Sequence, residues 1–413
     1  MAKIRPFQAV RPRQELASRI AALPYDVYSR EEAAKKVEGD QYSFLRIDRP
    51  ETQFSKDQDM YAAEVYEKAA QMLQQMQEDK SFLQDEKACY YIYELTMNGR
   101  SQTGLVAASS VDDYISGVIR KHENTRKEKE ADRIRHVDVC SAQTGPIFLA
   151  YNSAPAVKAV LDKVKKEKAD VDFVSDDEIR HRVWVIDQDE DIQALTAEFE
   201  KMPNTYIADG HHRAASAVAV SLKRRKAHPQ YTGEEEFNYF LSVLFDADEL
   251  KIMDYNRVVM DLNGNSPEEF LKRIAEKFEI EEKEKSIFRP SQKGEMGLYL
   301  EKKWYKLTVK EELVQTDPVE ALDVAYLQRE VLSPILGIED PSTDKRIDFV
   351  GGIRGLEELE RRCSLDAKAA FAMYPTQIQE LFAVADANRL MPPKSTWFEP
   401  KLRSGLFIHC IEK

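Results

Sequence analysis

The stretch Thr205-Tyr206-Ile207-Ala208-Asp209-Gly210-His211-His212-Arg213 joins a short β-prone run to the first turn of a predicted helix. Residues 214–222 are small and apolar, as a helix must be to lie close against a sheet, and Gly210 permits the sharp turn. This geometry directs free N–H groups, the positive helix end and a guanidinium toward one spot, which suits a phosphate. A plainer interpretation makes Asp209 the N-cap and leaves the histidines on the surface.

A second polar cluster, Lys121-His122-Glu123-Asn124-Thr125-Arg126-Lys127, follows the apolar run at residues 104–108. A carboxylate between a histidine and several cations can act as a general base or a magnesium ligand, and the cations can neutralise phosphoryl oxygens. A charge run of this kind is also typical of a solvated helix face. The histidines favour chemistry, because four of the seven lie in or near the two clusters: His122, His136, His211 and His212.

Six segments distributed over nearly the whole chain carry a family resemblance. They are Leu23-Pro24-Tyr25-Asp26-Val27, Ser43-Phe44-Leu45-Arg46, Lys121-His122-Glu123-Asn124-Thr125, Ala142-Gln143-Thr144-Gly145-Pro146, Asp209-Gly210-His211-His212-Arg213 and Met391-Pro392-Pro393-Lys394-Ser395-Thr396-Trp397-Phe398. In this order they resemble the large bacterial family of unknown function DUF1015. The fifth segment also resembles the phosphate-binding turn of the ParB and sulfiredoxin-like fold, whose members include nucleotide-dependent partition proteins, sulfiredoxins and free serine kinases. The resemblance implies phosphoryl or nucleotide chemistry.

The resemblance to free serine kinases also implies roles for single residues. Glu123 matches the glutamate that these kinases are thought to use as a base. Asp209, His211, His212 and Arg213 match the turn where the phosphate donor and its metal would sit. The chain departs from the compact kinases in its length and in its long C-terminal third, which leaves the donor and the acceptor open.

Alternating helical and strand patterns predict an α/β protein with mixed (α+β) sheets. Apolar residues at helical spacing predict a helix over residues 58–83. The aromatic run 88–97, the turn Asn98-Gly99 and the run 102–108 predict a hairpin. The charged stretch 279–293 is predicted to be a mobile connection.

Three segments are expected in the domain organisation. Residues 85–260 are the predicted ParB/sulfiredoxin-like core, and residues 1–84 form an N-terminal segment that packs on it. Residues 261–413 are predicted to form an additional α/β domain whose final loop returns to the site.

Two C-terminal elements could bind an anion. Gly351-Gly352 follows a predicted strand and permits close approach of the backbone to an anion, although tight packing explains the glycines equally well. The proline-stiffened loop 391–405 carries three cations, Lys394, Lys401 and Arg403. We expect this loop to line the pocket with the Pro24-Tyr25-Asp26 segment, and Lys394 or Arg403 to approach Arg213 within about 10 Å, a Debye length.

The composition predicts a cytoplasmic protein. The first residues lack the apolar stretch of a signal peptide, and no later run approaches the length of a membrane span. Four scattered cysteines, Cys89, Cys140, Cys363 and Cys410, indicate neither a disulfide framework nor a structural zinc site. Reduced thiols in a cytoplasm fit this pattern.

Net charge argues against nucleic acid as a partner. The chain carries 73 acidic and 60 basic residues, a formal charge of -13, so its overall field repels a polyanion. We therefore expect no retention of duplex DNA in a gel-shift assay at physiological salt. Tight binding that weakens steeply with salt would contradict this expectation and favour a ParB-type module.

The preferred reaction is phosphoryl transfer to the hydroxyl of a small amino acid, free L-serine first, with ATP or pyrophosphate as donor. In this hypothesis Glu123 is the base, supported by His122, and Asp209 holds Mg²⁺. The predicted phosphate-binding residues are Gly210, His211, His212, Arg213, Lys127, Lys394 and Arg403. The alternative is a ParB-like nucleotide-binding or DNA-associated module without small-molecule turnover. A small molecule is the expected partner, with neither nucleic acid nor membrane.

Overall fold

The computed structural model describes residues 1–283 and 286–412. They form two compact units, one comprising Met1–Leu250 together with the C-terminal residues from Pro400, the other comprising Lys251–Glu399. The three-part division at residues 84 and 260 stays a prediction.

The helices are short to medium in length and occur in both units. In chain order they are α1 (Ala17–Ile20), α2 (Arg30–Lys36), α3 (Leu45–Asp48), α4 (Ala63–Glu78), α5 (Val111–Ser116), α6 (Lys127–Cys140), α7 (Pro155–Val164), α8 (Asp189–Phe199), α9 (His211–Ala227), α10 (Pro267–Ala275), α11 (Asp323–Leu327), α12 (Glu357–Leu365) and α13 (Ile378–Asp386). Among the described residues, no helix combines the length and the apolar character needed to cross a bilayer.

The strands alternate with these helices. In chain order they are β1 (Ile4–Arg5), β2 (Val10–Pro12), β3 (Phe82–Gln84), β4 (Tyr90–Met97), β5 (Arg100–Ser110), β6 (Ile119–Arg120), β7 (Ala142–Gln143), β8 (Ile147–Tyr151), β9 (Val171–Val174), β10 (Arg180–Ile186), β11 (Thr205–Asp209), β12 (Tyr239–Asp246), β13 (Ile252–Met253), β14 (Tyr255–Val259), β15 (Phe278–Lys283), β16 (Glu295–Leu300), β17 (Lys303–Val309), β18 (Ile347–Gly351), β19 (Ala369–Met373), β20 (Trp397–Phe398) and β21 (His409–Cys410).

A mixed sheet organises the first unit. Its strand order is β6-β11-β8-β12-β5-β4-β10-β9, with β1 added against β5. The predicted hairpin is confirmed, since β4 and β5 pair antiparallel around Asn98 and Gly99. The pairs β6–β11 and β8–β12 are parallel, whereas β11–β8 and β12–β5 are antiparallel. The predicted α/β class with mixed sheets is confirmed.

Helices pack on this sheet through small and aromatic side chains. Helix α9 contributes Ala214, Ala217 and Val218 to the main core, and α8 contributes Leu195 and Phe199. Small residues at the start of α9 allow its backbone to lie close to the strands, as the sequence predicts. The first turn of α9 is therefore held firmly at the edge of the sheet.

A second sheet, in the order β15-β17-β16-β19-β14-β18, organises the other unit. The prediction of a mobile connection over residues 279–293 is wrong in part, because its first residues belong to strand β15. Phe278 of β15 is buried while its charged residues lie largely outward, which is the pattern of an edge strand. Glu284 and Lys285 of the same stretch lie outside the described residues.

Packing accounts for Gly351 and Gly352 of the second unit. A Cβ atom on Gly351 would lie 2.9 Å from the Trp397 ring, and one on Gly352 would collide with the Asp254 carboxylate. Both glycines are thus required where other groups approach the backbone closely.

Candidate functional site

The sheet topology brings the two charged clusters together. Strands β6 and β11 are parallel, with Thr205 opposite Ile119 and Tyr206 opposite Arg120. Because parallel strands end at the same sheet edge, the residues after β6 and the turn after β11 meet there. Their histidines lie in contact, with the His122 and His211 rings 4.5 Å apart between centroids and nearly perpendicular, at 87°.

The turn between β11 and α9 is built on a glycine in the left-handed conformation. Gly210 adopts φ 95° and ψ 31°, in the left-handed region that favours glycine. Gly210, rather than Asp209, is the N-cap of the 17-residue helix, so the capping residue itself supplies no side-chain acceptor. The N–H groups of the first turn lack intrahelical acceptors and carry the positive end of the helix dipole.

Two cations flank Asp209. Arg213 Nη2 lies 3.3 Å and Lys401 Nζ 3.6 Å from the Asp209 Oδ2 atom. Burial opposes ionisation of Asp209, but Lys401 and Arg213 outweigh it and lower its pKa to about 2. Asp209 is therefore a carboxylate at neutral pH, and Arg213 is further oriented by donating to the Pro146 carbonyl.

The histidine pair is neutral at physiological pH. Burial lowers the pKa of His122 to about 4, with the Asp209 charge opposing the change. Burial and the neighbouring His122 likewise lower the pKa of His211 well below its usual value. The half-exposed Glu123 carboxylate lies beside the pair, with Oε2 3.8 Å from His211 Nδ1. Two imidazoles and a carboxylate thus face one another next to Asp209.

His212 lies on the other side of the turn, toward helix α6. Its Nε2 accepts a hydrogen bond of 2.9 Å from the Arg126 backbone N–H. Burial and then Lys129 lower the pKa of His212, while Asp26 raises it in part. Lys127 is exposed in the first turn of α6. The charge run therefore has two parts. Lys127 is exposed to solvent at the start of α6, whereas the Arg126 backbone contacts His212 of the turn.

A small cavity lies beside Arg213. Three of the six segments singled out in the sequence contribute to its wall, and Asp48 lies just after a fourth. The lining residues are Pro24, Tyr25, Asp48, Arg133, His136, Val137, Gln143, Thr144, Gly145, Ile147, Arg213, Ala217, Leu241 and Ser404. Segments far apart in sequence thus converge on one cavity.

Buried hydrogen bonds hold the cavity wall in place. Thr144 Oγ1 donates to Asp48 Oδ1 at 2.8 Å, and the Arg133 guanidinium lies 4.1 Å from the Tyr25 ring centroid. His136 is buried here, 2.8 Å from the Ile47 carbonyl through Nε2. His136 therefore belongs to this wall, although the sequence grouped it with His122.

The three cations of the final loop, residues 391–405, have different neighbours. Lys401 pairs with Asp209, and Ser404 lines the cavity. Arg403 is buried and binds Asp177, with its Nη2 atom 2.5 Å from Asp177 Oδ2. Lys394 belongs to the second unit, where its Nζ lies 5.6 Å from the Tyr255 ring centroid. The expected approach of Lys394 or Arg403 to Arg213 stays a prediction.

Comparisons with known proteins identify a family and a set of distant structures. The model of the family "Protein of unknown function (DUF1015)" matches residues 4–325. None of the curated proteins matches the chain.

Solved structures resemble the chain at low identity. A free serine kinase mutant in complex with AMP is 14% identical with a TM-score of 0.37, and the match covers 74% of this chain and 92% of that one. A second mutant of free serine kinase, in complex with ADP, is 15% identical with a TM-score of 0.36 and the same coverage. C-terminally truncated SbnI from Staphylococcus aureus is 10% identical with a TM-score of 0.39, covering 74% of this chain and 87% of that one.

Proposed function

The chain belongs to the DUF1015 family of proteins of unknown function, and we propose that it is a phosphotransferase acting on the hydroxyl of a small amino acid. Free L-serine is the first acceptor to test, and ATP or pyrophosphate is the donor. The observation that carries the proposal is the juxtaposition of an accessible carboxylate, Glu123, with the glycine turn that opens helix α9. A base and an anion-binding helix end are the two parts that phosphoryl transfer to an alcohol needs.

In this mechanism the acceptor hydroxyl gives its proton to Glu123 as its oxygen bonds to the terminal phosphorus. The bond from that phosphorus to the donor's bridging oxygen breaks, and the leaving ADP or phosphate keeps the electron pair. Glu123 suits this role because its side chain is 52% exposed and can reach a bound hydroxyl. The neighbouring histidines do not compete with Glu123 for the proton, since their pKa values lie below neutrality.

The donor phosphates would be held by the turn and by cations around it. The N–H groups after Gly210 and the guanidinium of Arg213 supply fixed positive ends, and Lys127 adds an exposed charge. His211 and His212 contribute hydrogen bonds rather than charge, because burial lowers the pKa of each. Lys401 joins this set, while Lys394 and Arg403 remain proposed ligands to be tested by substitution.

Asp209 fits a magnesium ion that arrives with the donor. It is ionised, partly exposed and offers a hard oxygen ligand beside the helix end. Mg²⁺ characteristically takes one or two protein carboxylates and completes its shell with phosphate oxygens and water. When bound there it would neutralise charge on the transferred phosphoryl group.

Direct observation of phosphorus tests the proposal. Purified protein is incubated with Mg²⁺, a pool of amino acids and ATP, CTP or pyrophosphate, and the products are followed by phosphorus NMR. The proposal expects a phosphomonoester resonance that depends on a hydroxyl amino acid. Donor binding without any such product would instead support the ParB-like nucleotide-binding module, for which the same glycine turn would serve.

Substitution of Gly210 by alanine should weaken donor binding. The side chain would be strained at φ 95°, and its Cβ would lie 3.1 Å from three atoms of the Arg213 guanidinium group. We expect a loss of about 1–2 kcal/mol in unfolding free energy and at least about tenfold weaker pyrophosphate binding by calorimetry.

Gly233 provides a matched control for this variant. It has a similar φ of 97°, but a Cβ there meets no atom within 4 Å. Gly233→Ala should therefore lose comparable stability and keep its affinity. Equal affinities in the two variants would show that the Gly210 turn does not shape the anion site.

A further inference from the structure

The histidine pair and Glu123 have the composition of a transition-metal site. His122, Glu123 and His211 each offer one ligand atom, and these atoms all lie within 4.8 Å of one another. A cation about 2.1 Å from each ligand would bring them to roughly 3.4 Å apart in tetrahedral geometry. The widest of these separations would have to shrink by about 1.4 Å, which a movement of the half-exposed Glu123 side chain could supply.

The environment of His122 is an independent indication of a ligand. His122 is only 2% exposed, yet within the described part of the chain neither Nδ1 nor Nε2 has a hydrogen-bond partner of ordinary geometry. A weaker interaction with the Ile207 backbone raises its pKa against the larger effect of burial. A buried polar atom without a hydrogen bond lowers stability by about 1–3 kcal/mol, so most such atoms in folded proteins have a partner. A metal ion bound to one nitrogen would supply it.

His211 can join the coordination at little cost. Its Nε2 accepts a contact of 3.5 Å from the His122 backbone N–H, at the outer limit of hydrogen bonding. Because the pKa values of both histidines are low, protons do not compete for their nitrogens at neutral pH. The nearby Asp209 carboxylate adds a favourable negative charge without being one of the three ligands.

We propose that His122, Glu123 and His211 bind a divalent transition cation such as Zn²⁺, Mn²⁺, Co²⁺ or Fe²⁺. Two imidazoles with one carboxylate favour these ions over Mg²⁺ and Ca²⁺, which take oxygen ligands. The inference does not rest on phosphoryl transfer, and the site is separate from the magnesium ion assigned to Asp209. With the cation bound, one Glu123 oxygen is a ligand and the other remains available to a proton.

Metal titration without donor or acceptor tests this site independently of any activity. Protein stripped with a chelator is titrated with Co²⁺, followed by visible absorption, and with Zn²⁺ and Mg²⁺, followed by calorimetry. We expect one Co²⁺ or Zn²⁺ per chain with micromolar or tighter affinity. Mg²⁺ should leave the cobalt spectrum unchanged.

Variants assign the ligands. His122→Gln and His211→Gln should each weaken Co²⁺ binding at least about tenfold, and Glu123→Gln should weaken it and alter the spectrum. His212→Gln is the matched control, because His212 is adjacent in sequence but directs Nε2 to the Arg126 N–H, and it should bind Co²⁺ like the parent. Circular dichroism of each variant establishes that it is folded. Absence of binding by the folded parent protein, or equal binding by all four variants, would overturn the proposal.

Discussion

Replacing Glu123 by glutamine should lower turnover by about 10²- to 10⁴-fold while leaving donor affinity nearly unchanged. The amide keeps the shape of the side chain but cannot accept a proton at neutral pH. Glu123 is half-exposed and lies 3.8 Å from His211, so its replacement leaves the core intact. The measurement is kcat with saturating donor and acceptor, together with donor affinity by calorimetry.

Glu128→Gln is the control for this prediction, since Glu128 is an exposed glutamate in the first turn of α6. Near-normal turnover in Glu123→Gln would exclude Glu123 as the base. A parallel drop in melting temperature would assign the loss to folding. Recovery of turnover with excess Zn²⁺ or Mn²⁺ would assign it to weakened cation binding rather than to proton transfer.

Acid should destabilise the first unit through His181. This residue is fully buried in β10, and burial, followed by the charge of Arg403, lowers its pKa to about 3 although Asp177 opposes the change. The groups that face its ring are Tyr93, Ser175, Phe173, Arg403 and Asp177. The native protein thus keeps His181 neutral well below the pH at which the unfolded chain protonates it.

The sign of the pH dependence follows from this difference. The contribution to stability is complete above the unfolded pKa of 6.5 and is lost as the pH falls toward 3. Between pH 7 and pH 5, above the range of ordinary aspartate titration, His181 should cost about 2 kcal/mol of unfolding free energy. Denaturant titrations at both pH values should show this loss in the parent protein and a smaller one in His181→Gln.

Tyr93→Phe separates titration from packing. It removes the 2.8 Å hydrogen bond between Tyr93 Oη and His181 Nδ1 but keeps the buried imidazole. This variant should be less stable at both pH values and retain the pH dependence of the parent. If His181→Gln retains that dependence too, other groups cause it.

The charged stretch 279–293 shows where a local pattern was misleading. Its density of charge predicted a connection, yet Phe278–Lys283 pairs along β17 as an edge strand. Edge strands tolerate charge because one side of the strand and one row of its backbone groups face solvent. By contrast, the hairpin around Asn98 and Gly99 was predictable, since both its turn residues and its flanking strands are local signals.

Local chemistry allowed the sequence by itself to determine the strand, the left-handed glycine and the helix at Gly210, along with the mixed α/β class. Only the tertiary structure decided which residues meet that turn. The parallel pairing of β6 with β11 places Glu123 beside His211. Tertiary packing also forms the ion pairs of Lys401 with Asp209 and of Arg403 with Asp177. A turn depends on the backbone preferences of its own few residues, whereas an ion pair between residues some 200 positions apart depends on how the whole chain packs.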